Sequence, residues 1–388
     1  MPKPTSDCRA TERKHPWPMV RLGDVCIVQR GVRVTRKDLD DNGKYNVYQN
    51  SLKPLGKYNS FNCEAHSPFM IMALAAGEPG FSEEPFWAAD DCTYFKNLRG
   101  LDNLYLYFLL SANKDELKRN VKQTTIPRLS NKFLESLEIP LPPLSVQREI
   151  VARLERELAA VEKIKKGFEA LAETARAEFK AELKEVFEEI SRGGAETRRL
   201  GEVCETITDG DHQPPPKSSQ GVPFLVISNL ASGRISFENT RFVPKVYYEA
   251  IQENRKPRKG DVLLTVTGSY GIPVVVETKE IFCFQRHIAL IRTSRLDPKF
   301  LAYALLSPKS KRYFDMVATG AAQKTIGLAA IRAMNISFPS LSVQRQIVAR
   351  LSTAKARAEK LEAKAREGVA VCETMRKAIL KEAFDLRR

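Results

Sequence analysis

The sequence predicts an α+β fold. Two mixed, mainly β domains are joined by two long helices that pair as an antiparallel coiled coil, the whole forming a pseudo-twofold internal repeat. Three observations carry this reading. The segment Leu144-Ser-Val-Gln-Arg-Glu-Ile-Val-Ala-Arg-Leu154 recurs as Leu341-Ser-Val-Gln-Arg-Gln-Ile-Val-Ala-Arg-Leu351, ten identities in eleven positions. A second echo opens each half, Arg21-Leu-Gly-Asp-Val-Cys26 against Arg199-Leu-Gly-Glu-Val-Cys204. Behind each Ser-Val-Gln-Arg, apolar or small residues return about every 3.6 positions, the helical period.

Composition bounds the class. The chain has 388 residues, 62 Lys+Arg against 47 Asp+Glu and a net charge of +15. That length exceeds one ordinary domain. An apolar share of 43% and a charged share of 28% exclude wholesale disorder. No run approaches the roughly 18 apolar residues of a membrane span, and the first residues lack the apolar core of a secretory signal. Seven cysteines, at 8, 26, 63, 92, 204, 283 and 372, never fall as CxxC. This argues against a zinc site or disulfide framework and for a reduced, cytoplasmic protein.

The elements follow in order. Residues 1–16 read as a flexible tail. Residues 17–144, rich in Pro, Gly and short apolar runs such as Pro68-Phe-Met-Ile-Met-Ala73, read as the first mainly β domain. A helical stretch within it, Asp102 to Leu110, has a counterpart at Pro298 to Leu306. Residues 145–192 read as one long amphipathic helix, with Ser145 placed to cap it and Gly193-Gly194 to end it. Residues 193–341 form the second β domain and 342–388 the second long helix. The echoes are offset by 178 residues at the front and 197 at the back, so the second domain is 19 residues longer between them. At about 1.5 Å per residue each helix is roughly 65–70 Å long. Neither can bury its stripe alone, so they pair with each other or pack on separate partners. Gly167 and Gly368 interrupt both near mid-length, at ~1 kcal/mol each, for a close helix approach or a slight bend.

Charge divides unevenly: +3 over 1–144, −1 over 145–192, +7 over 193–341 and +6 over 342–388. Basic residues gather with turn formers and aromatics in Arg30 to Lys37, Lys53 to Asn59 and Arg255 to Gly260. Such loops suit DNA reading, with Lys and Arg for phosphates and amides for base edges, or are simply solvated. For catalysis little is present. Leu141-Pro-Pro-Leu144 and Gln213-Pro-Pro-Pro216 lack the flanking residues that hold a base amino group, and no phosphate-binding glycine loop occurs. One nuclease-like pattern stands out: Asp261, then Glu277 and Lys279 as Glu-x-Lys, which could bind Mg²⁺ or be a strand edge with surface charges. The four histidines, 15, 66, 212 and 287, show no metal-ligand spacing.

Two variable domains alternating with two near-identical helical segments, each opening Pro-x-Leu-Ser-Val-Gln-Arg-x-Ile-Val, resemble the specificity (S) subunit of type I restriction-modification systems. Further matches are Lys259-Gly-Asp-Val-Leu-Leu-Thr265 before Gly268-Ser-Tyr-Gly271, and Thr208-Asp-Gly-Asp-His212 before Pro223 to Asn229. Gly77-Glu-Pro-Gly-Phe81 before Trp87-Ala-Ala-Asp90, and Thr319 to Ile326, add to them. The resemblance runs from about Trp17 to the C-terminus. It implies that each globular half is a target recognition domain reading part of an asymmetric bipartite site in double-stranded DNA. The helices would set the spacer. Two modification (methyltransferase) subunits, carrying S-adenosylmethionine, would dock on them. Restriction (motor and nuclease) subunits, using ATP and Mg²⁺, would then join. The chain itself would hold no cofactor and catalyse nothing. A type II system that cuts beside its bipartite site is the related alternative, and a stand-alone Mg²⁺ nuclease at Asp261, Glu277 and Lys279 a distant one.

By the same resemblance, the DNA contacts in the first domain are Arg33, Gln49, Asn50, Lys53, Lys57, Tyr58, Ser82, Lys122, Gln123 and Arg128. In the second they are Asp211, His212, Asn229, Thr267, Ser269, Tyr270, Arg286, His287, Gln323 and Lys324. Gly80, Gly268 and Gly271 are expected to permit tight turns.

Overall fold

The computed structural model describes residues 17–123, 125–211, 215–321 and 323–384. Two compact units divide the chain, Met1–Phe168 with Glu367–Arg388, and Glu169–Arg366, so both long helices contribute to both units. The expected tail, residues 1–16, lies outside the described residues.

The first unit runs β1 (Met19–Arg21), α1 (Leu22–Val25), β2 (Ile27–Arg30), β3 (Tyr45–Tyr48), β4 (Gly56–Tyr58), β5 (Ser67–Ile71), β6 (Glu78–Ser82), β7 (Phe86–Ala88) and β8 (Cys92–Lys96). It continues α2 (Asn103–Ala112), α3 (Lys114–Arg119), α4 (Asn131–Ser136) and β9 (Glu138–Pro140) into the long helix α5 (Leu144–Arg192). Strands order as β2-β8-β5-β6 in an antiparallel sheet and β4-β3-β7 in a second, with β3 parallel to β7. Strand β1 pairs with β9 beside the root of α5.

The second unit repeats this plan. It has β10 (Glu196–Arg199), α6 (Leu200–Val203), β11 (Thr206–Asp209), β12 (Val222–Leu225), β13 (Arg241–Val243), α7 (Lys245–Ala250), β14 (Val262–Thr265), β15 (Pro273–Val275), β16 (Cys283–Phe284) and β17 (Ile288–Arg292). Then come α8 (Pro298–Leu306), α9 (Pro308–Val317), α10 (Leu328–Ala333), β18 (Asn335–Phe338) and the second long helix, α11 (Leu341–Phe384). The sheets are β11-β17-β14-β15 and β13-β12-β16, strand for strand the order of the first unit. The largest insertion in the second domain falls between β12 and β14. Residues 226–261, including α7, separate β12 from β14, where only 49–66 separate β3 from β5.

Each four-stranded sheet is covered on both faces, which explains the unbroken apolar runs of its central strands. On β5, Met70 joins the core containing Leu106, Leu109 and Tyr105 of α2, while Phe69 and Ile71 pack with Phe86 and Tyr94 on the other face. On β14, Val262 and Leu264 face Phe300 and Leu301 of α8, and Leu263 faces Val274 and Phe284. Both crossing helices are capped alike. Asp102 Oδ1 accepts from the amides of Leu104 and Tyr105, and Asp297 Oδ1 from those of Lys299 and Phe300.

The repeated Ser-Val-Gln-Arg earns its glutamine here. Gln147 is fully buried: Oε1 accepts from Asp102 N at 2.8 Å, and Nε2 donates to Gly100 O at 2.8 Å and Pro142 O at 2.7 Å. Gln344, 1% exposed, accepts from Asp297 N at 2.9 Å and donates to Pro339 O at 2.9 Å. One side chain thus fixes the first turn of each long helix against the capped start of α2 or α8.

Within each unit the long helices run antiparallel. In the first, Leu154 and Val151 share a core with Leu380 and Ala383, and Lys165 pairs with Glu373. In the second, Arg176 pairs with Glu362, Arg357 with Glu178, and Arg350 with Glu182, Glu185 and Glu189. Three expectations change in detail. Helix α5 begins at Leu144, not behind Ser145, because the carbonyl of Pro143 takes the first turn's amides, Val146 N and Gln147 N. Gly368 marks a close approach, since an added Cβ would stand 2.5 Å from the Phe168 ring, whereas at Gly167 it would meet nothing. Gly80 permits no turn: it lies in β6 with its α-carbon against the Phe69 ring, where a Cβ would sit at 2.3 Å. At the other end of α5, Gly194 at φ +69° follows Gly193 as the sequence predicts.

Candidate nucleic-acid interface

Three segments meet at the same place in each unit. The first is the turn after the central strand, β5 to β6 in one unit and β14 to β15 in the other. The second is the turn joining β7 to β8, or β16 to β17. The third is a loop closed by an antiparallel bridge, Lys122 with Arg128 in one unit and Thr319 with Thr325 in the other. The same backbone hydrogen bonds tie them. Leu74 N donates to Pro127 O at 3.1 Å, as Gly268 N does to Lys324 O at 3.0 Å. Met72 N donates to Asp91 O at 2.8 Å, as Val266 N does to His287 O at 2.9 Å. Leu129 N donates to Met72 O, as Ile326 N does to Val266 O. Leu74 therefore corresponds to Gly268, Asp90-Asp91 to Arg286-His287, and Ile126-Pro127-Arg128 to Gln323-Lys324-Thr325.

On this common frame the side chains differ. In the first unit Lys122 and Gln123 are exposed, and Arg128 Nη1 lies 3.0 Å from Asp91 Oδ1. Gln49 Nε2 donates to Asp90 Oδ1 at 3.2 Å, so the Asp90-Asp91 turn engages both Gln49 and Arg128. Arg33 is exposed beyond Val32, whose carbonyl accepts from Trp87 Nε1 at 2.8 Å. Tyr58 meets Trp87 edge-on at 5.0 Å. Asn50 is half-buried; Lys53 and Lys57 are exposed.

In the second unit Thr267, 4% exposed, is the hub. His287 Nδ1 lies 3.0 Å from its hydroxyl, and Thr325 Oγ1 donates to it at 3.2 Å. Burial, then the charge of Arg286, hold the His287 imidazole below its ordinary pKa, favouring the neutral ring. Around this hub Ser269, Arg286, Gln323 and Lys324 are exposed. Gly268 at φ +67° and Gly271 at φ +81° make the turn that presents Ser269, as the sequence predicts. Tyr270 donates to Asp315 Oδ1 at 2.9 Å, and Asp211 accepts from the Tyr247 hydroxyl at 2.7 Å.

The residue arrangement and its duplication point to one family. The model for the type I restriction modification DNA specificity domain matches residues 14–170 and again 193–369. The chain belongs to that family. The type I restriction enzyme MjaVIII specificity subunit of Methanocaldococcus jannaschii is 26% identical over 275 residues, 65% of this chain and 63% of its own. The EcoBI specificity subunit of Escherichia coli is 25% identical over 307 residues, 72% of this chain and 64% of its own. The matches thus span somewhat less than two thirds of these relatives. Among solved structures, a chain of a type I R-M system studied for complex assembly and conformational transition superposes with a TM-score of 0.71. It is 22% identical, and the match covers 96% of this chain and 98% of that one. At this identity the likeness establishes the fold.

Three expected contacts are committed to the domain interior, Thr267 on His287 and Thr325 as above, and two more. Ser82 is buried and donates to Glu84 O at 2.7 Å. Asn229, 5% exposed, accepts from Val226 N and donates to Ser236 O, organising the β12–β13 connection. His212 lies outside the described residues. Sequence reasoning passed over Leu74, Asp90, Asp91, Ile126 and Thr325, which share the three segments; aligning the divergent middles strand by strand would have found them.

The nuclease pattern is overturned. Asp261, 2% exposed, has both oxygens on the Arg292 guanidinium, at 2.8 Å from Nε and 2.7 Å from Nη2, and also accepts from Arg258 N. A cation already occupies the place a Mg²⁺ would take. Glu277 pairs with Lys299 at 2.8 Å, which lowers its carboxyl pKa. Asp261 instead fastens β14 to β17. Among the described residues no cluster of acidic, His or Cys side chains suits a metal, and no helix is long and apolar enough to cross a membrane.

Proposed function

We propose that this chain is the DNA sequence-specificity subunit of a type I restriction-modification complex in the cytoplasm. Each unit reads one half of an asymmetric bipartite target in double-stranded DNA. The chain performs no chemistry itself: methyl transfer from S-adenosylmethionine belongs to modification subunits, and ATP- and Mg²⁺-dependent cleavage to restriction subunits. One observation carries the reading: a single scaffold, built twice, presents three equivalent segments with different side chains. The second unit offers Ser269, Arg286, Gln323 and Lys324, groups that donate to guanine or bridge adenine edges and phosphates. The first offers the Asp90-Asp91 turn, suited to a cytosine amino group, between Gln49 and Arg128. Two surfaces so unlike would select two different half-targets. The continuous helices α5 and α11, each shared by both units, suit a spacer of fixed length.

Methylation mapping after co-expression with the modification partner tests this. One bipartite, asymmetric sequence is expected to be protected genome-wide. A single uninterrupted target, or no target in an active complex, refutes it.

A further inference from the structure

Leu74 is 57% exposed, yet its backbone sits at φ +61°. A branched side chain holds this left-handed conformation only where its surroundings dictate it, and such positions cluster at sites of function. Here Leu74 N donates to Pro127 O, and the flanking Met72 N and Gly77 N are fixed on Asp91 O and Ile71 O. The second unit makes the same turn with Gly268, at φ +67°, which pays no steric penalty. The leucine is therefore not required by the turn, and at this exposure it contributes little to the core. Beside it on the bridge-closed loop stands Ile126, 44% exposed, where the second unit has Gln323. Lys122 and Arg128 bound the same loop. The first unit thus presents two branched apolar side chains amid cations, at the site where the second presents a glycine and an amide.

We infer that Leu74, with Ile126 beside it, recognises the C5 methyl group of thymine in the half-target of the first unit. This rests on the DNA-reading function proposed above. The methyl of thymine is the apolar group that the bases display in the major groove. Lys122 suits a neighbouring phosphate, and an apolar protein partner would leave its charge unmatched, whereas Arg128 already pairs with Asp91.

The test uses the full chain in complex with its modification partner and a duplex carrying the mapped target. Each thymine is replaced in turn by uracil, which lacks only the methyl group. At one thymine or two adjacent ones, uracil should weaken binding about fourfold, the worth of one buried methyl or methylene. Leu74→Gly combined with Ile126→Gln should bind thymine and uracil there equally, and Leu74→Gly alone should unfold at no lower temperature than the parent. Equal binding of thymine and uracil throughout by the unaltered chain overturns the inference. So does discrimination that survives Leu74→Gly combined with Ile126→Gln, or a first half-target without thymine; all three leave the DNA-reading function intact. A complex with no sequence-specific binding fails before any base is replaced, and removes the function together with the inference.

Discussion

Replacing Gln147 by alanine should loosen the first unit more than the same change at Gln344 loosens the second. Gln147 makes three hydrogen bonds from a fully buried side chain, and Gln344 makes two. At about 1 kcal/mol net per bond, the losses come to roughly 3 and 2 kcal/mol. For units of this size each kcal/mol corresponds to about 2–4 °C in Tm. A two-unit chain need not unfold in one step, so a single midpoint would mix the two. Hydrogen exchange read by mass spectrometry separates them, following peptides that contain Asp102 or Asp297, whose amides these glutamines receive. Gln147→Ala should raise exchange near Asp102 and leave Asp297 unchanged, with the reverse for Gln344→Ala. A loss under about 1 kcal/mol at Gln147, or a larger loss at Gln344, would show that the glutamines are not what holds the helices to the domains.

The two mid-helix glycines should respond oppositely. Gly167→Ala, facing open space, is expected to stabilise by up to ~1 kcal/mol through helix propensity, while Gly368→Ala drives a methyl into the Phe168 ring and lowers the thermal midpoint. His287 supplies a pH dependence. Its folded-state pKa lies below the unfolded value, so the neutral ring stabilises the second unit above about pH 6.5, and that contribution fades as pH falls through the lower folded value. His287→Gln should therefore flatten the decline in the second unit's protection between pH 7 and 5; an unchanged decline would place its origin elsewhere.

What the sequence disclosed follows from where its information lies. The repeat survives in residues that pack or cap: Leu22 and Leu200 are fully buried, as are Leu154 and Leu351, and Asp102 and Asp297 cap equivalent helices. Those positions were legible because burial restricts the side chain in both copies alike. The α5 start was misplaced because a carbonyl, that of Pro143, satisfies its first amides and leaves no side-chain signature. The reading segments were legible only in part. Gly268 and Gly271 announce a turn; in the first domain Gly77, at φ +82°, matches Gly271, but Leu74 stands where Gly268 does, so that position carries no turn signal in the sequence. Asn229 and Ser82 carry groups typical of base contacts yet serve backbone atoms, a difference of orientation that composition does not encode. Asp261 resembled a metal ligand because its partner, Arg292, lies on another strand.

Packing explains the buried identities between the repeats, but not the exposed ones. Ser145 and Ser342, and Arg148 and Arg345, stand exposed on the first turns of α5 and α11, in matching positions. Neither arginine caps a helix or fills a core, and in an otherwise divergent duplication nothing inside the units requires the pair to match. Two copies of one partner would require it, since each must meet the same surface. If the modification subunits dock here, each arginine governs one of them. Arg148→Glu should leave a complex with one modification subunit, and so should Arg345→Glu, while the double variant should retain none; native mass spectrometry counts them directly. Hydrogen exchange of the variants alone should match the parent, because both side chains are exposed and charge reversal at such sites changes stability by at most about 0.5 kcal/mol. A double variant that still assembles with two modification subunits would mean that the exposed repeat is not the docking surface, and that the partner binds through the helices further along.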